Sequence, residues 1–64
     1  MKVLLMPDGM VFVNLTSEQE KDLVKHAGNM EIKDTAKGLK VRGDGKNMYK
    51  LLYDLSYKYD IEIV

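Results

Sequence analysis

The chain contains no cysteine, which excludes a disulfide framework, a thiolate metal site and a cysteine nucleophile, and fits a reducing compartment. The cytoplasm is therefore the expected location. It has a single histidine, His26, so a metal site or a nucleophile–base pair would lack its second member. Long hydrophobic runs are also missing. The first, Val3 to Met6, is stopped by Pro7-Asp8 and is too short for a signal-peptide core or a membrane span, so no membrane association is expected. Excess charge of either sign is absent too. Ten basic side chains balance ten acidic ones, and the field of the whole protein attracts neither nucleic acid nor an anionic surface. No repeat, low-complexity tract or linker interrupts the 64 residues, and the expected organisation is one domain spanning 1–64. With 45% hydrophobic residues, that length lies near the lower limit for burying a core without a staple.

What is present divides into short elements. Val3 to Met6 and Met10 to Leu15 are apolar, partly β-branched runs around Pro7-Asp8-Gly9, where Pro presets φ for a turn, and they predict a β-hairpin. Thr16-Ser17-Glu18-Gln19-Glu20 holds two overlapping capping boxes, Thr16 with Gln19 and Ser17 with Glu20. A first helix therefore starts here, with Leu23, Val24 and Ala27 on one side, and Gly28-Asn29 supplies its stop. Met30 to Lys33 and Leu39 to Arg42 alternate apolar with charged residues, as strands with one wet face do, and Asp34 to Gly38 is expected to loop between them. Glu31, Lys33, Lys40 and Arg42 would face outward.

Gly43-Asp44-Gly45 then breaks the chain, with Asp44 or Asn47 placed to cap. Met48, Leu51, Leu52, Leu55 and Tyr59 recur at helical spacing over 46–59, the most strongly patterned helix of the chain. Asp60 to Val64 alternates again as a terminal strand. The order ββα-ββ-αβ predicts an α+β fold, a small two-layer domain in which two helices cover one face of a mainly antiparallel sheet.

Three features could carry function. The first is surplus apolar surface. Both faces of the hairpin are apolar, two short helices on one side cannot cover both, and large exposed apolar patches mark interaction sites. Leu4, Met6, Met10 and Phe12 are the residues expected to meet a partner. The second is a row of tyrosines on the second helix. With Met48 at zero, Tyr49, Tyr53 and Tyr57 fall at roughly 100°, 140° and 180°. They stand apart from the core row and beside Lys46 and Lys50. Tyr49 is expected to lie along the first helix with its hydroxyl wet, and Tyr57 to be exposed. The third is a basic segment, Lys37, Lys40, Arg42, Lys46 and Lys50 against one acid, Asp44. Its glycines and helix start offer an anion site or a nucleic-acid contact. The spacing is not that of a P-loop, which would put Lys where Asp44 stands, and a capped strand-to-helix turn accounts for the glycines. Residues 43–64 resemble the nucleic-acid-clamping half of KH domains, in which a glycine loop opens a helix that leads to a strand. The G-x-x-G between two helices that such a clamp needs is here G-x-G after a strand, so no residue role carries over.

Enzymatic chemistry finds little material. His26 falls at the rim of the first helix, and Glu18, Glu20 and Asp22 are explained by the positive end of a helix. Neither an enzyme nor a cofactor is expected. The leading expectation is an interaction or regulatory module that binds a protein partner, or a second copy of itself as a homodimer, through the hairpin surface and the residues Tyr53 and Tyr57. The alternative is nucleic-acid or phosphate binding through the segment 37–50.

Overall fold

In the computed structural model, which describes all 64 residues, the chain runs β1 (Lys2–Met6), β2 (Gly9–Val13), α1 (Ser17–Ala27), β3 (Glu31–Thr35), β4 (Gly38–Arg42), α2 (Gly45–Ser56) and β5 (Glu62–Ile63). The strands form one sheet in the order β3-β4-β2-β1-β5. Three neighbouring pairs are antiparallel, and β1 with β5 is parallel. Each helix links two parallel strands that are not adjacent. The α1 segment carries the chain from β2 to β3 across β4, and α2 carries it from β4 to β5 across β2 and β1. The architecture is thus two overlapping split βαβ units, the first with β4 between its two strands and the second with β2 and β1 between its two.

Local chemistry sets the boundaries. Pro7 and Asp8 make a two-residue turn, which places Met6 opposite Gly9, Leu4 opposite Val11 and Val3 opposite Phe12. Of the two capping registers at α1, Thr16 is the cap: its hydroxyl accepts from the Gln19 amide at 3.1 Å, and the Gln19 side chain accepts from the Thr16 amide at 3.0 Å. Asp44 caps α2 by accepting from the Asn47 amide at 2.8 Å. The α2 helix ends at Ser56, three residues before the end of its pattern, and Tyr59 packs against the core from the following turn.

The connection between β3 and β4 differs from the five-residue loop read from the pattern. Asp34 and Thr35 remain in the strand opposite Leu39 and Gly38. The turn is only Ala36-Lys37, because the Thr35 hydroxyl accepts from the Gly38 amide at 3.2 Å and donates to its carbonyl at 2.6 Å. Gly38 is required here: its φ is 151°, and an added Cβ would overlap the Phe12 carbonyl.

One cluster holds the fold: Val3, Met10, Phe12 and Val41 from the sheet meet Leu23, Ala27, Leu51 and Leu55 from the helices. Sheet and helix members share one cluster, so both helices lie on one face and the other face has no covering layer. No helix is long and apolar enough to cross a membrane.

Candidate interaction surface

Because side chains alternate along a strand, the hairpin register decides which of its residues face the helices. Val3 faces them, so its partner Phe12 does too, together with Met10 two residues earlier. Met10 and Phe12 are 1% and 0% exposed. They belong to the core, and this corrects their expected place on a partner surface. The open face carries Leu4, Met6, Val11 and Val13 instead. Leu4 is half-buried and Met6 exposed.

The open face is drier than its lack of a covering layer suggests. Val11 is 4% exposed although it lies outside the helix-side core. Its neighbour across the ladder is Lys40, whose ammonium is held 3.0 Å from the Asp8 carboxylate in the hairpin turn. The Arg42 Nε stands 3.5 Å from the same carboxylate. Asp8 thereby pins two long side chains over the sheet, and the aliphatic stems of such residues shield apolar surface. The Lys40 hydrogen bond, more than any other influence, holds the Asp8 carboxyl below its usual range.

This arrangement also divides the basic segment. Lys40 and Arg42 point from β4 to the open face and are ion-paired. Lys37 sits in the β3–β4 turn, and Lys46 and Lys50 lie on α2 in the opposite layer. The five cations form no single patch. Gly43-Asp44-Gly45 joins a strand to a helix, so the two-helix clamp of a KH domain is not formed.

Surplus apolar surface is concentrated elsewhere, on the rim formed by β1 and β5. Ile63 pairs with Val3, and Leu5 follows Val3 by two residues on the same face. Leu5 and Ile63 are 59% and 50% exposed. The ladder between the strands ends with the Val64 amide on the Val3 carbonyl at 2.9 Å. Leu5 is the next residue whose backbone turns toward that edge, and no strand lies beside it. An open strand edge with apolar side chains invites pairing with another chain. Sequence alternation alone sends Leu5 inward with Val3. In the folded chain β5 pairs only with Lys2 and Val3 and stops short of Leu5, and the apolar alternation over 60–64 gives no sign of so short a strand.

Because α1 joins β2 to β3 and α2 joins β4 to β5, α2 lies on the β1–β5 side of the covered face and α1 on the β3–β4 side. Leu51, Asn47 and Asp54 of α2 line a groove of about 450 Å³ beside Ala27 and Met30, so that flank of α2 faces α1. The tyrosines occupy the other flank. Tyr49, at 71% exposure, therefore does not lie along α1 as the sequence suggested; Tyr53 and Tyr57 are exposed as well. Tyr49 and Tyr53 stack at 6.4 Å with a 17° interplanar angle, and Tyr57 meets Tyr53 edge-on at 5.2 Å. The Tyr57 hydroxyl donates to the Tyr53 hydroxyl at 2.8 Å, and this bond raises the Tyr57 pKa above its ordinary value.

The remaining polar cluster ties the two helical segments together. Lys58 Nζ lies 2.9 Å from Asp22 Oδ2 and 3.1 Å from Glu18 Oε1, and the Tyr59 hydroxyl donates to Asp22. The Tyr59 bond, followed by Lys58, lowers the Asp22 pKa, and the Asp22 bond raises those of Lys58 and Tyr59. These groups staple α1 to the turn after α2. His26 is exposed at the groove rim, and no three His, Asp or Glu side chains converge.

No protein-family model, curated protein or solved structure matches the chain. Its function is therefore argued from the surface alone.

Proposed function

We propose that this chain is a small protein-interaction module, and that its partner meets the β1–β5 rim together with the adjoining tyrosine row of α2. The observation that carries this reading is the exposure of Leu5 and Ile63 side by side at an incompletely paired sheet edge. Burying what remains exposed of these two side chains contributes about 1 kcal/mol each, roughly half the value for full burial, and tyrosines add rigid, amphipathic contact area. The open sheet face is the weaker candidate, because Asp8 holds Lys40 and Arg42 across it.

The test is affinity capture from the native host, comparing the unaltered chain with a double variant, Leu5→Glu and Ile63→Lys. Both positions are exposed, and circular dichroism verifies that the variant is folded. A partner retained by the unaltered chain and lost by the variant supports the reading. Equal retention by both contradicts it. Sedimentation of the two proteins alone shows whether a second copy is the occupant.

A further inference from the structure

We propose that the partner of the β1–β5 rim is a second copy of this chain, seated across a two-fold axis beside Tyr53 with the two α2 helices antiparallel; this rests on the protein-binding reading above.

The distribution of exposed apolar side chains gives the first reason. Eight large ones remain exposed, and five of them, Leu5, Ile63, Tyr49, Tyr53 and Tyr57, belong to α2, the turn that follows it or the β1–β5 rim on the same side of the molecule. Apolar surface gathered on one side of a small domain marks an interaction site.

Charge gives the second. From Asp44 to Ser56 two lysines, Lys46 and Lys50, are matched by two carboxylates, Asp44 and Asp54, so the helix selects no occupant of a single sign. The body of α2 is nevertheless polar along its axis, with the lysines in its first half and Asp54 in its second. An antiparallel copy sets the basic half of one helix beside the acidic half of the other and opposes the two helix dipoles.

Spacing and hydroxyl chemistry give the third, and they favour a copy over an unrelated protein. The tyrosines at 49, 53 and 57 are evenly spaced, so the row keeps its spacing when reversed. A two-fold axis beside Tyr53 brings Tyr49 of one copy to Tyr57 of the other, and each such contact occurs twice, as in any isologous interface. A tyrosine hydroxyl both donates and accepts. Within the chain Tyr57 donates to Tyr53, while the Tyr49 hydroxyl and the Tyr53 hydrogen have no partner. A reversed row of hydroxyls supplies donors and acceptors to both. All three rings are more than half exposed, which leaves edges and faces open to the offset and edge-on contacts that aromatic pairs prefer.

The experiment follows the folded chain by sedimentation equilibrium from micromolar to millimolar concentration, and by isotope-filtered NOEs in a mixture of labelled and unlabelled chains. The expected result is a monomer–dimer equilibrium that stops at two copies, with Tyr49–Tyr57 ring NOEs between them. Tyr53→Arg places two like charges at the axis and should weaken dimerisation by more than about tenfold, as loss of a central tyrosine does. Val24→Arg, at an exposed apolar position of α1, should leave the dimer intact, and circular dichroism verifies that both variants are folded. A monomer at every concentration, association that continues beyond two copies, or a dimer as strong in Tyr53→Arg as in the unaltered chain would overturn the proposal. A monomer whose capture of a host protein still depends on Leu5 and Ile63 would sink the second-copy reading alone. Absence of a dimer together with host capture that ignores Leu5 and Ile63 would sink the broader reading as well.

Discussion

The Tyr57 hydroxyl donates to the Tyr53 hydroxyl at 2.8 Å on the flank of α2 turned away from α1. This relationship makes the pair testable separately from the fold. The bond stabilises the protonated form of Tyr57 and raises its pKa above 10.0. Tyr53→Phe removes the acceptor, so the Tyr57 titration, followed by tyrosinate absorbance, should move back toward the ordinary value. An unchanged midpoint would show that the bond does not persist in solution.

Phe12 lies at the centre of the core, opposite Val3. Truncating a buried phenylalanine costs about 3–5 kcal/mol, and a domain of this size rarely holds more than about 3–5 kcal/mol in all. Phe12→Ala should therefore be largely unfolded by circular dichroism at 25 °C. The exposed Tyr57→Ala should remain folded, with a stability change within about 0.5 kcal/mol in urea denaturation.

Gly38 has a φ of 151°, and a Cβ added there would overlap the Phe12 carbonyl oxygen. Gly38→Ala should destabilise the fold by about 1–3 kcal/mol, because strain and overlap act at the same point. Gly45→Ala meets open space and sits within α2, where alanine is the better helix former. It should leave stability unchanged or slightly raised, as measured by thermal unfolding.

Acid should loosen the helical staple. The pKa values of Asp8 and Asp22 lie below 3.8 in the folded chain, so the stabilisation they provide is present above that value. It is lost as pH falls through the lower folded values. Thermal midpoints should fall below about pH 4, and Asp22→Asn should show a shallower acid decline than the unaltered chain. Tyr59 and Lys58 have raised values, so their contribution is present below their ordinary values and is lost as pH rises through the higher folded ones.

Much of the fold was legible in the sequence. Pro7-Asp8-Gly9, Thr16 with Gln19, Gly28 and Asp44 are local signals that act within a few residues, and each sits at the element boundary it implies. The element order and the single helix-covered face followed from the periods of the apolar residues. What the pattern left open was registration. The hairpin has apolar residues on both faces, so alternation could not say which set meets the helices. The two-residue turn decides it, placing Met10 and Phe12 inside with Val3. The length of β5 and the pinning of Lys40 and Arg42 by Asp8 are long-range matters too, and they moved the exposed apolar surface from the open sheet face to Leu5 and Ile63.

The central claim is that the partner meets the β1–β5 rim and the α2 tyrosines. Amide shift mapping of the isotope-labelled chain with the partner captured from the host tests it most directly. The account predicts perturbations at Leu5, Ile63, Tyr49 and Tyr53, with Val11, Lys33 and Lys40 unmoved. Perturbations confined to Val11, Val13, Lys33 and Lys40 would place the partner on the open sheet face and contradict it.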